Sequence, residues 1–196
     1  MKPVAFVFYM PHPFFVLCLP SFSFFLLPLQ AEQEKAQKTH MKTELILVGR
    51  TSDKHFAAGI NDYADRINHY MPFGITTLPE LKNTKNLSEE QQKTAEGELI
   101  LRQLQPQDTV VLLDERGRGP RSIELASWLE QKRQTARRLV FVIGGPYGFS
   151  PAVYQRANEQ LSLSRLTFSH QMVRLVFTEQ LYRACTIIKG EPYHHE

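Results

Sequence analysis

From residue 44 onward, short apolar runs rich in β-branched residues alternate with longer amphipathic stretches. This pattern restricts the chain to an α/β domain with a largely parallel sheet flanked by helices. Residues 44–49 carry Leu45, Ile46, Leu47 and Val48 in one unbroken run and read as a buried strand. Ser52 or Asp53 caps a helix to about Tyr70, with Phe56, Ile60, Tyr63 and Ile67 at helical spacing. Phe73–Leu78 is a second strand. A polar loop with Lys82, Asn83, Lys85 and Asn86 leads to Ser88-x-x-Gln91, a capping box that opens a helix to about Gln103. Residues 109–113 form the third strand and 116–120 a loop, and Ser122 caps a helix holding Leu125 and Trp128. Residues 139–143 are the fourth strand, and a short helix starts at Ser150-Pro151, where proline suits the first turn. Residues 165–168 read as a fifth strand, and 171–189 as a final helix ended by Gly190.

The first forty residues are of another kind. Residues 1–29 are crowded with Phe, Leu, Val and Pro, but Pro11, Pro13, Pro20 and Pro28 interrupt the ~20 apolar residues that a membrane-spanning helix needs. As a secretory signal the segment has only Lys2 for its positive end, and Leu29-Gln30-Ala31 is a poor small-residue cleavage site. Residues 1–40 are therefore expected to be a disordered extension outside the working domain, with translation starting at Met41; a signal-like segment is the alternative. Residues 41–196 make the domain. Cys18 and Cys185, the chain's 2 cysteines, have no metal-type spacing, which argues against a disulfide framework or zinc site and for a reducing, cytoplasmic setting. A net charge of +3 is too mild for electrostatics alone to grip nucleic acid tightly.

Ligands of open α/β sheets bind beyond the carboxyl ends of strands, so the loops after Leu113 and Ile143 and the stretch 161–168 are the candidate site. Gly144-Gly145-x-x-Gly148 is neither the dinucleotide fingerprint nor a P-loop, and a tight turn needing positive φ explains it as well as a ligand does. His170 either caps the last helix or faces a ligand. Glu179 and Arg183 have the spacing of an ordinary helix salt bridge. Arg116, Arg118 and Arg121 read as solvated surface, with phosphate contact the lesser alternative. The last helix carries Met172, Val173, Leu175, Val176, Phe177, Leu181, Ala184, Cys185, Ile187 and Ile188 around nearly its whole circumference, so burial on every side is expected, some of it from a second copy in a two-fold homodimer.

The segments VFVIGGPYGFSP and LSLSRLTFSHQMVRLVFTEQLYRACTIIKGEPYHHE, with LILVGR near Met41 and TVVLLDERG around Leu113, resemble the SPOUT methyltransferases. The likeness is to the small bacterial members that methylate N3 of a pseudouridine in 23S ribosomal RNA, and it covers residues 41–196. It implies an α/β fold with a C-terminal trefoil knot, a homodimer, S-adenosylmethionine as methyl donor, and the assembled ribosome as partner, with no metal or membrane. By motif position, Leu113, Gly144, Leu163, Ser164, Arg165, Leu166, Thr167 and Phe168 fall where the family holds the cofactor. Arg183, Tyr193 and His194 fall in its catalytic, RNA-side group, with His170 and Arg174 lining the pocket.

Those residue types suit the implied chemistry. An imide nitrogen must lose its proton as it attacks; an imidazole is a suitable acceptor and a guanidinium can stabilise the developing negative charge. Tyr193 is placed to stack on a flipped base. His195 stands where many family members have Arg or Lys, and Arg118 where lysine is common, so a fixed phosphate contact at His195 is left open. The alternatives from other classes are a non-catalytic RNA- or ribosome-binding factor on the same fold, a secreted α/β protein, and, more distantly, a nicotinamide-dependent enzyme.

Overall fold

The computed structural model describes residues 41–81 and 84–195, without the Lys85 side chain. The expectations for residues 1–40, for Lys82 and Asn83, and for the Lys85 side chain lie outside the described residues. The elements run β1 (Lys42–Val48), α1 (Lys54–Asn68), β2 (Phe73–Leu78), a 3₁₀ turn at Thr84–Asn86, α2 (Glu89–Gln103), β3 (Thr109–Arg118), α3 (Ser122–Thr135), β4 (Arg138–Ile143), α4 (Pro151–Arg156), β5 (Glu159–Leu161) and α5 (His170–Lys189). All strand pairs are parallel, in the order β2-β1-β4-β3-β5. Every carboxyl end therefore opens on the same edge.

The unbroken apolar runs arise because both faces of the sheet are covered. Side chains alternate across a strand. Leu45, Leu47, Val111, Leu139, Phe141 and Ile143 join a core with Ile67 of α1, Leu125 and Leu129 of α3, and Phe177 and Leu181 of α5. Ile46, Val48, Val110, Leu112, Val140 and Val142 join a second core with Ile100 of α2 and Val153 of α4. Phe141 anchors the first core at the sheet's centre, its ring 4.7 Å from Phe177 and 6.0 Å from Trp128.

Capping places the helices where the polar residues announce them. Asp53 Oδ1 accepts from the His55 and Phe56 amides, and Ser88 and Gln91 form the reciprocal capping box. Gly190 ends α5 with φ +70°, a left-handed conformation suited to glycine.

Three expectations are corrected. The third strand continues through Arg118, so Arg116, Gly117 and Arg118 are strand residues rather than loop. Arg121, not Ser122, holds the N-cap of α3, its amide bound by Glu124 at 2.9 Å. The fifth strand is Glu159–Leu161, which pairs with residues 111–113; residues 165–168 are loop, turned by the Ser164 hydroxyl accepting from the Leu166 amide. This chain alone covers only part of the apolar circumference of α5. Phe177, Leu181, Ala184 and Cys185 form its buried stripe, while Val173, Leu175, Val176, Ile187 and Ile188 are half-buried and Met172 is exposed.

At the edge opposite the carboxyl ends, Arg138 joins three segments. Its Nε and Nη2 donate to Glu44 Oε2 at 3.2 and 3.0 Å, and its Nη1 donates to the buried Asp108. Burial raises the Glu44 carboxyl, but hydrogen bonds from Thr76 and Arg138 and the charges of Arg138 and Lys42 outweigh it and hold the group below its ordinary value. Such a group stabilises the fold above the unfolded carboxyl range, and that stabilisation is lost as pH falls through the lowered folded value. Arg138→Met removes the cation that two buried carboxylates share, leaving Glu44 with Lys42 alone, and should lower unfolding free energy by about 3–5 kcal/mol at neutral pH. In urea melts, the deficit relative to the parent should narrow below about pH 4.

Candidate functional site

Three strand-end segments meet at one cavity of about 380 Å³. β3 supplies Leu113, Asp114, Glu115 and Arg116; the segment after β4 supplies residues 144–149; the segment after β5 supplies Ser162, Leu163, Ser164, Leu166, Thr167 and Phe168. His170, in the first turn of α5, and Tyr154 of α4 complete the wall.

A break in the β3–β5 ladder shapes this cavity. Leu113 and Arg118 both pair with Leu161, so residues 114–117 bulge out of register between them. Gly117 lets the strands approach there: a methyl group on it would lie 2.6 Å from backbone atoms of Gln160 and Leu161. Asp114 is fixed within the bulge, its Oδ2 accepting from the Tyr154 hydroxyl at 2.5 Å and its Oδ1 from the Arg116 amide at 2.8 Å. Burial, followed by Asp114, pushes the Tyr154 hydroxyl up to about 12, so it remains a donor at neutral pH.

The glycine turn combines close packing with one special conformation. Gly148 has φ +82° and donates its amide to Gly145 O at 3.1 Å. Gly144 lacks a side chain because the Phe149 ring occupies that space, and Gly145 because the Glu96 carboxyl does. Glu96 is buried on α2; Gln92 donates to its Oε1 at 2.9 Å, and its Oε2 has no partner among the described residues. Burial raises this carboxyl above its ordinary value, partly offset by the Gln92 bond.

The residues expected to serve the site divide into three places. Leu113, Gly144, Leu163, Ser164, Leu166, Thr167, Phe168 and His170 line the cavity; Arg165 is exposed and does not. Arg174 lies beyond the glycine turn, in a neighbouring cavity of about 260 Å³ that shares Gly145, Pro146 and His170 with the first. There its guanidinium donates to Val48 O at 2.7 Å and to Gly49 O and Thr51 Oγ1 at 3.0 Å. His170 does not cap α5. Ser169 does, by accepting from the Met172 amide, and burial and then the Arg174 charge hold the His170 imidazole below its ordinary value.

Arg183, Tyr193 and His194 gather at the other end of α5, roughly 20 Å from His170 by helical rise. Glu179 organises them: its Oε1 accepts from Arg183 Nε and Nη2 at 3.1 and 2.6 Å and from the Tyr193 hydroxyl at 3.0 Å. The Arg183 guanidinium lies 4.8 Å over the Tyr193 ring, and its Nη1 is 3.5 Å from His194 Nδ1. Glu191, bound by the Tyr70 hydroxyl at 2.5 Å, pins the start of the tail. Burial, then bonds to Tyr63 and Glu179, raise the Tyr193 hydroxyl well above its ordinary value, so it acts as a donor rather than a phenolate base.

A family model described as "Predicted SPOUT methyltransferase" matches residues 41–194. The chain belongs to the SPOUT methyltransferase family. Proteins named "Ribosomal RNA large subunit methyltransferase H" are similar to it across their whole length. Those of Phocaeicola vulgatus and Bacteroides fragilis are 60% and 59% identical over 157 residues, 80% of this chain and 100% of theirs. That of Porphyromonas gingivalis is 54% identical over the same share. Within this SPOUT domain, the sequence does not mark Asp114, Tyr154 or Glu96 as site residues, and it marks Glu179 as the helix salt-bridge partner of Arg183, which the structure shows at 2.6 Å. Asp114 directly follows a predicted strand, where strand-end reasoning could have found it; Tyr154 and Glu96 lie inside helices and carry no such signal.

Gly117→Ala should collapse the bulge. The backbone overlap cannot be relieved by a side-chain rotation, so a loss of about 1–3 kcal/mol in unfolding free energy is expected. In hydrogen exchange, residues 159–168 should lose protection before the β1–β4 pair does.

Proposed function

We propose that this chain is an S-adenosylmethionine-dependent methyltransferase that modifies N3 of a pseudouridine in 23S ribosomal RNA. It acts on the assembled ribosome in the cytoplasm, as a homodimer and without metal. The observation that carries this reading is the convergence of Leu113, Gly144, Leu163, Ser164, Leu166, Thr167 and Phe168 on one cavity in a SPOUT domain. The names of the relatives support ribosomal RNA as the substrate class. The family reading also carries a trefoil knot in the C-terminal segment.

The cavity's chemistry fits the donor. Leu113, Ile143, Leu161, Leu163 and Phe168 offer apolar walls to a purine, and Asp114 and Glu115 offer carboxylates to its cationic groups. Bound there, the cofactor supplies a methyl group activated by a positive sulfur. The protein's part is to hold the acceptor in line and to take its proton. His194 is the proposed proton acceptor, Arg183 the stabiliser of the developing negative charge, and Tyr193 the surface on which the base stacks. His170 lines the pocket in this reading, while Arg174 stands in the neighbouring cavity and Arg165 on the exposed surface.

The separation along α5 supports the homodimer. One chain places its cofactor cavity and its Arg183–Tyr193–His194 group at opposite ends of one helix, so a reaction between them calls for the tail of a second copy. The half-buried apolar face of α5 is the surface such a copy would cover.

Mass spectrometry of 23S ribosomal RNA from a strain lacking the gene should show the target pseudouridine unmethylated, and the gene carrying His194→Ala should fail to restore it. Methylation unchanged in the deletion strain would end the proposal. Binding of the cationic donor should also depend on pH. His170 is neutral where its lowered value places it, and protonating it adds a positive charge beside the cavity. Affinity by calorimetry should therefore fall as pH drops below the ordinary imidazole value of ~6.5, and His170→Gln should flatten the slope.

A further inference from the structure

The geometry points to Asp114 as the residue by which the pocket favours the positively charged methyl donor over its neutral demethylated product. The inference rests on the cofactor reading above and deepens it. Transfer of the methyl group turns a sulfonium into a thioether, so donor and product differ at that centre by one methyl and one positive charge. A negative group close to the sulfur gains most from the difference; shape and apolar contact are nearly equal for both.

Asp114 has what that task needs. It lies on the cavity wall, directly after Leu113, the residue whose position matches the family's cofactor contact. Its carboxylate does not have to be ordered by the ligand, because one oxygen is held by the Tyr154 hydroxyl and the other by the Arg116 amide. Both donors are neutral and leave the negative charge uncancelled, and the raised Tyr154 hydroxyl keeps its proton throughout the physiological range. Each carboxylate oxygen retains a lone pair for a further partner. Arg116 is the cationic side chain nearest in sequence, but it is exposed and meets Asp114 through its backbone amide. The other acidic wall residue, Glu115, is exposed, so solvent screens its charge more strongly. Asp114 is half-buried in a cleft, where an oriented charge acts over a short distance in a reduced dielectric.

The test is calorimetry on the full chain with three ligands: S-adenosylmethionine, its neutral product S-adenosylhomocysteine, and sinefungin, which carries an amine in place of the methylsulfonium group. The parent should bind the two charged ligands more tightly than the product. Asp114→Asn, which keeps size and removes charge, should weaken both charged ligands about tenfold while leaving the product within about twofold. Tyr154→Phe leaves the charge but frees one oxygen, and should reduce the preference part of the way; it also serves if the Asn variant fails to fold. A parallel loss for all three ligands, or an unchanged preference in both variants, overturns the assignment. A parent chain that binds none of the three overturns the cofactor reading beneath it.

Discussion

The buried guanidinium of Arg174 ties the last helix to the sheet. It reaches the carboxyl end of β1 and donates to two backbone carbonyls and one hydroxyl there. Burial alone lowers its affinity for a proton, the Glu80 charge pulls the other way, and the net shift is downward. Placing such a cation in the interior is expensive unless its donors are used, and removing it would orphan the same carbonyls. The bond therefore fixes where α5 begins. His170 then falls on the cavity wall, the Phe177–Leu181 stripe on the central core, and Glu179 within reach of the tail.

The two ends of α5 have different mechanical support. At its start the helix is held by Arg174 and by Gln171, which accepts from the Ser52 amide at 3.0 Å. At its end the support comes from rings: Tyr182 packs on Tyr63, Tyr70 and Tyr193 at centroid distances of 5.7, 6.0 and 4.9 Å. The aromatic end is also the one whose His194 Nε2 is buried without a partner among the described residues.

Where the sequence could be read and where it could not follow from the range of the forces involved. The runs at Leu45–Val48 and Val140–Ile143, and the caps at Asp53 and Ser88, are local signals: a buried strand must be apolar and a helix start must find acceptors. β5 carries no such signal, because Glu159 and Gln160 sit at the sheet edge and only Leu161 is buried. The loop at 165–168 mimicked a strand because its apolar residues serve the cavity rather than the core. Gly144 and Gly145 were visible as a turn, but their reasons, the Phe149 ring and the Glu96 carboxyl, come from residues that no local pattern connects. The circumference of α5 was apolar in sequence, and one chain covers only part of it.

The bulge between β3 and β5 has a further consequence. Since Leu113 and Arg118 share Leu161 as partner, residues 114–117 contribute nothing to the ladder that aligns the sheet. Their side chains can be exchanged, provided Gly117 keeps the backbones close, without sliding any strand past its neighbour. At residues 114–116 the architecture thus frees part of the cavity wall from the ladder that aligns the sheet. Over generations of substitution, the ligand preference of such a pocket can drift while the frame beneath it stays the same.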